Sequence, residues 1–369
     1  MITKTFKYAL YVILCAVTTF ARAEATDVQG RWIKDAQGQV MVDPQPSGLT
    51  HWRGKLLTIS DRSATPSQQG RLHQLILPGG TLLDLNFPLV LTTSIQQSCF
   101  GQYLANQPDL EALTADPDND RIFYTLTEDA RSAPLSPECA KQWANSGSTD
   151  YPTLLLRLEL TDDNQAMVTH VRPLQFKAEA KVGNFPNDGF EGMTFGPDRM
   201  LYLALEKDMV SQARIFQVRM NSSFWLSNDF IPVEDAQLRL PEFKDGNHPL
   251  NGMDYYPSEQ EGHPGFLLAI ARNVDQLWVI DLSKHNPGKL IQLAFWAEVL
   301  EPPADCNDWE LMDNASIEGV AVIDDIVWMI NDPWKVNYLK NIQCEVNRPH
   351  YEKMAPLLFA LPTDKSWFR

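Results

Sequence analysis

The chain has 369 residues, with 47 Asp and Glu against 31 Lys and Arg and a formal charge of −16 at pH 7. A surface this acidic repels nucleic acid and anionic membrane, and it favours cations or anions bridged by cations. Beyond the first two dozen residues no run approaches the ~18 consecutive apolar residues a membrane helix needs, so no membrane span is expected.

In chain order, residues 1–23 read as a signal peptide. Lys4 and Lys7 precede the apolar stretch YALYVILCAVTTF, and Ala21-Arg22-Ala23 has the small-x-small cleavage pattern. Cleavage would remove Lys4, Lys7 and Arg22 and no acid, taking the formal charge from −16 to −19. Residues 24–369 are then expected to form a single domain in the periplasm or outside the cell. Four cysteines remain there, and an oxidising compartment favours their pairing. Cys99–Cys139 and Cys306–Cys344 are the expected bridges, because each closes a local loop of about 40 residues.

The mature sequence repeats. SGLTHWRGKLLTISDR begins at Ser47, EALTADPDNDRIFYTLTED at Glu111, EGMTFGPDRMLYLALEKD at Glu191, NGMDYYPSEQEGHPGFLLAIARN at Asn251, and EGVAVIDDIVWMINDP at Glu318. Each copy has a polar head and a small residue, then a short apolar strand, a turn, and a second strand ending in a polar or charged residue. Further strands follow each pair, among them RLHQLIL, TLLLRLEL, RIFQVRM, QLWVIDL and PLLFALP. Units of about four strands at near-regular spacing, with little helical periodicity, predict an all-β fold: a β-propeller of five blades. A sixth blade could occupy the long interval between Glu111 and Glu191 or the chain ends. An N-terminal strand over Gln29–Asp35 is expected to close the ring.

In a propeller the first strand of each blade lines the central channel, so residues far apart in sequence should meet at one mouth. The heads give one ring: Ser47, Glu111, Glu191, Asn251 and Glu318. The ends of the second strands give another: Asp61, Glu128, Glu206, Arg272 and Asp332. So many carboxylates in one place require raised pKa values, pairing to Arg62, Lys207 or Arg272, or a bound hard cation. Calcium suits a flexible cage of carboxylate and amide oxygens. Hydrated channel acids remain the plain alternative.

FEGMTFGPDRMLYLALEKD, DLEALTADPDNDRIFYTLTED and SGLTHWRGKLLTISDR resemble the esterase-like phytase family of exported bacterial propellers, as does the stretch NFPNDGFEGM. That resemblance implies a propeller, a secreted setting and action on phosphate or carboxylic esters with calcium. It touches Ser47, Asp61, Arg62, Glu111, Glu191, Glu206 and Glu318. Asn251 departs from it, placing an amide where an acidic head would stand.

Read as a hydrolase of a small anionic or ester substrate, the chain would hold Ca2+ through Asp61, Glu111, Glu191 and Glu318. Glu206 or Glu128 would serve as general acid or base. Arg272 would hold the anionic group, with Arg62, Asn251, Lys207 and Asp332 as further substrate contacts. A monomer is expected. No G-x-S-x-G elbow, H-E-x-x-H helix or phosphate-binding loop occurs. Ser47 lacks a partnered base, and His51 and His248 suit loop positions. Two alternatives stay open: a non-catalytic envelope propeller that binds a ligand or partner, and a calcium-dependent lactonase using Glu318, Asn251 and Asp332. Trp52, Phe195, Tyr255, Tyr256 and Trp328 are expected to pack between blades.

Overall fold

The computed structural model describes residues 25–128, 133–144, 146–147, 151–182, 189–241 and 250–369. The signal-peptide reading, His248 and the NFPND part of the resemblance motif lie outside them.

Five innermost strands, Pro46–Trp52, Leu110–Ala115, Phe190–Phe195, Leu250–Tyr256 and Ile317–Ile323, stand side by side in a closed ring, the last against the first. Each leads an antiparallel sheet running outward. Blade one continues through Lys55–Ser60, Arg71–Ile76 and Phe87–Leu91, and blade two through Ile122–Thr127, Leu154–Leu160 and Ala166–Gln175. Blade three adds Met200–Leu205, Arg214–Arg219 and the short Glu234–Asp235, and blade four Phe266–Ala271, Gln276–Asp281 and Lys289–Glu298. Blade five adds Ile326–Asn331 and Leu357–Pro362, and its outer strand comes from the other end of the chain. Thr26–Trp32 pairs antiparallel with Leu357–Pro362 and parallel with Lys289–Glu298. The expected closing strand is present, beginning three residues earlier than the sequence suggested.

The second strand of each blade is largely apolar and buried because both of its faces are covered by neighbouring blades. Alternate side chains therefore enter different cores. Leu201, Leu203 and Leu205 pack toward blade two, whereas Tyr202 and Ala204 pack toward blade four. Phe266, Leu268 and Ile270 meet blade five, while Leu267 and Ala269 meet blade three. Val327 and Met329 join the interface with blade four, and Trp328 and Ile330 join the one with blade one. Five hydrophobic clusters result, one at each blade interface, which is the arrangement a closed ring demands.

The aromatic residues do the interface packing expected of them. Trp52 meets Phe123 of blade two edge-on at 6.2 Å, and Phe195 meets Tyr124 at 5.5 Å. Both expected disulfides form, Cys99–Cys139 and Cys306–Cys344. The first ties down the insertion between blades one and two, which carries the short helices Thr93–Gln96 and Gly101–Ala105. Two disulfides suit an oxidising compartment. No described helix is long and apolar enough to cross a membrane.

Candidate functional site: an acidic funnel on the propeller axis

Every innermost strand breaks register at the same place. The ladder shifts between Pro46 and Leu49, Glu111 and Leu113, Phe190 and Gly192, Leu250 and Gly252, and Ile317 and Gly319. Each shift falls on the polar head and its small neighbour, so each head lies at a β-bulge. A bulge re-aims the side chain it carries, and here it does so once per blade. The small neighbours let adjacent strands approach. A Cβ on Gly252 would sit 3.0 Å from the Glu318 carbonyl oxygen, and one on Gly319 2.9 Å from the Gly48 carbonyl carbon.

The second ring is fixed by a recurring backbone bond. The amides of Asp61, Glu128, Glu206 and Asp332 donate to the carbonyls of Gln45, Asp109, Gly189 and Ser316, at 2.9–3.1 Å. Each acceptor stands two residues before a head. Each donor directly follows a second strand. The two rings are thereby locked together at one end of the channel in four blades.

The carboxylates of blades one to three converge. Ligand oxygens of Asp61, Asp109 and Glu111 lie within 4.8 Å of one another, and so do those of Glu111, Glu128 and Glu191. Glu111 belongs to both sets. Asp109 joins the expected residues: its position two residues before Glu111 in an extended D-L-E segment puts both on one face. The Arg62 Nε lies 3.0 Å from the Asp109 Oδ2. Glu128 Oε1 accepts from the Gly189 amide at 2.8 Å, and Asp61 accepts from the Ser63 and Ala64 amides at 2.6 and 3.1 Å.

Blades four and five look different. The guanidinium of Arg272 contacts Glu318 and lies 3.7 Å from Glu206 Oε1. Arg272 thus pairs with acids of that half of the funnel, while the acid-rich half has Arg62 at its edge. Asn251 is fully buried with neither amide atom hydrogen-bonded among the described residues, and Glu318 Oε2 and Asp332 Oδ1 are likewise buried without a partner. Lys207 follows Glu206 and is half-buried. Lys335 reaches the Ser63 carbonyl at 2.6 Å and Asp43 at 3.2 Å. Ser47 is buried at the blade-one bulge, and exposed His51 accepts from the Gly54 amide in a hairpin turn. Trp334 is exposed beyond Asp332. The acidic turn after Ala115 is held by Arg199, whose Nη2 lies 2.8 Å from Asp116 Oδ2.

Burial first, and repulsion from neighbouring acids second, push the Glu111 and Glu128 carboxyls well above the ordinary range. Burial also raises Asp61, against the bonds from Ser63 and Ala64. Asp332 is pushed up to about 8 by burial and by Asp61, with Arg272 and Lys335 opposing. A carboxyl whose folded pKa is raised takes up protons on folding, so its stabilisation is complete below the unfolded value and lost as pH rises through the folded one. Buried His73 works in the opposite sense, with its pKa lowered to about 4 by burial, but its effect is complete above the unfolded value of 6.5. Between pH 6.5 and 8 the acids act without that opposition. The metal-free protein is expected to lose stability across this interval, and Asp332→Asn to flatten the loss, as read by chemical denaturation at each pH.

These donors fit a hard divalent cation. Five converging carboxylates provide the anionic oxygens calcium prefers, and buried polar atoms without partners are what an ion or ordered water would satisfy.

No protein-family model matches the chain, and no curated protein does. Among solved structures it is similar to the PQQ-bound aldose sugar dehydrogenase of Streptomyces coelicolor, at 12% identity over 86% of this chain and 93% of that one, with a TM-score of 0.38. The Malassezia sympodialis allergen Mala s 1 shares 10% identity over 87% and 94% of the two chains, with a TM-score of 0.48. An auxiliary nutrient binding protein from Bacteroides thetaiotaomicron shares 7% over 86% and 70%, with a TM-score of 0.40. The propeller is established by the strand ring and its five interface cores.

Proposed function

We propose that the protein is an exported, calcium-assisted hydrolase of phosphate or carboxylic esters, acting at the axial funnel in the periplasm or outside the cell. The observation that carries this reading is the convergence of Asp61, Asp109, Glu111, Glu128 and Glu191, drawn from three blades. The motif resemblance to esterase-like phytases supports the same substrate class.

Asp61, Asp109 and Glu111 would hold the cation, with Glu191 grouped beside Glu111, whereas Glu318, expected as a ligand, pairs with Arg272 instead. Bound there, calcium would neutralise charge on the ester oxygens and lower the pKa of a water. Glu128, whose carboxyl burial and the neighbouring Glu191 raise well above the ordinary range, would donate its proton to the leaving oxygen. Glu206 would accept a proton from the attacking water. Water and ester thus become acid and alcohol with no other reactant. Arg272, set between Glu206 and Glu318, would orient the anionic group.

The test is turnover of a panel of phosphate and carboxylic esters by the full chain, with calcium and with a chelator. Hydrolysis is expected to require calcium, and Glu128→Gln to reduce it by about 10²–10⁴-fold. If no ester turns over while chelation still lowers the melting temperature, the funnel is a ligand-binding site and the hydrolase reading fails.

A further inference from the structure

A cavity of about 440 Å³ lies on the outer edge of blade three, away from the axis. A second, of about 350 Å³, lies beside the funnel. One side of this second cavity is the outer strand of blade one, through Leu89 and Leu91. The other is the insertion pinned by Cys99–Cys139, through Leu104, Ala105 and Gln107. Arg62 also lines it.

Arg62 joins this cavity to the acids. Its Nε is 3.0 Å from Asp109, and Asp109 shares a 4.8 Å cluster with Asp61 and Glu111. The arginine side chain keeps a third of its surface exposed. The insertion also fixes Asp109 directly, since buried Tyr103 accepts a hydrogen bond from the Asp109 amide at 3.1 Å. The same short helix therefore builds a cavity wall and positions a funnel acid.

We infer that this cavity is a specificity subsite for the apolar part of the ligand, with Arg62 on the funnel edge a contact to the anionic head in addition to Arg272. The inference rests on the funnel as the binding centre and narrows the substrate class. The ligand is an organic anion or ester with a short apolar tail, in place of a compact, fully polar phosphate. The size suits a small organic group, being near the lower end of ligand-site volumes of about 300–1,000 Å³. The lining is mixed: Leu89, Leu91, Leu104 and Ala105 offer apolar contact to a short alkyl tail, Gln69 and Gln96 leave polar edges, and the Arg62 guanidinium favours a carboxylate or phosphate head.

Binding, read without turnover, separates this inference from the hydrolase reading. Calorimetric titration of the full chain in calcium would compare hexanoate with acetate and hexyl phosphate with inorganic phosphate; the two pairs distinguish a carboxylate from a phosphate head. In at least one pair the tailed ligand is expected to bind tenfold or more tightly than the short one. Ala105→Trp, at an exposed wall position, is expected to bring that ratio close to one. Leu91→Ser, which removes apolar wall without adding bulk, should lower it severalfold; melting curves confirm that both variants fold. Arg62→Gln is expected to weaken both members of the favoured pair. Equal binding of tailed and short ligands in both pairs would overturn the inference. So would a tail preference that survives both wall substitutions.

Discussion

Glu111→Gln is expected to raise the melting temperature of the metal-free protein at pH 8 and to abolish the rise that calcium produces. The two effects share one cause. Glu111 is buried and repelled by Glu191, Asp109, Glu128 and Asp61, which favours its neutral form. An isosteric amide cannot ionise, so it removes the charged form that burial and the neighbouring acids disfavour as pH rises. Yet Glu111 is also the residue common to both carboxylate sets, so its loss should dismantle cation binding. At a hundredfold excess over its dissociation constant, a bound calcium ion would stabilise the wild type by about 2.7 kcal/mol. Scanning calorimetry of the two proteins in chelator and in calcium gives all four values. A purely structural glutamate would be destabilising when replaced and would leave the calcium response intact.

Gly48→Ala should cost about 3–4 kcal/mol, although it adds only one methyl group. Gly48 has φ +88, and a Cβ there would lie 2.4 Å from the Leu113 amide nitrogen and 2.6 Å from the Ala112 carbonyl carbon. Those atoms belong to the backbone of blade two, which cannot turn aside as a flexible side chain would. Gly54 supplies the control. Its φ is +75, but nothing lies within 4 Å of its Cβ position. Gly54→Ala should therefore cost only the left-handed backbone strain, about 1–2 kcal/mol. Denaturant titrations of both variants separate strain from contact. Equal losses would mean the innermost strands do not approach as closely as the ring requires.

The repeat made the ring legible because each blade must present the same parts in the same order. A polar head before a small residue, ahead of a strand, has no local purpose; Glu191-Gly192 and Glu318-Gly319 make sense only where blades meet. The disulfides were readable for a simpler reason, since each closes a short loop. What the heads do to the backbone was not visible. One-residue bulges leave the hydrophobic pattern of Leu113–Ala115 or Met193–Phe195 unchanged, so register shifts leave no trace in composition. Asp109 carries no such signal, because it stands one residue before its strand begins. The contacts of Arg272 with Glu318 and Glu206 join ends of three different blades, which spacing cannot reveal. The cavity beside Arg62 depends on how an irregular insertion folds back against blade one, and short helices such as Gly101–Ala105 carry little periodic signal.

Calcium titration of the full chain by calorimetry at pH 7, in two buffers of different ionisation enthalpy, bears most directly on whether the converged acids form a cation site. Saturable binding with net proton release is expected, because burial and the neighbouring acids raise the carboxyl of the ligand Glu111 and a cation would favour its ionised form. Absence of binding at millimolar calcium, or binding that persists unchanged in Glu111→Gln, would contradict it.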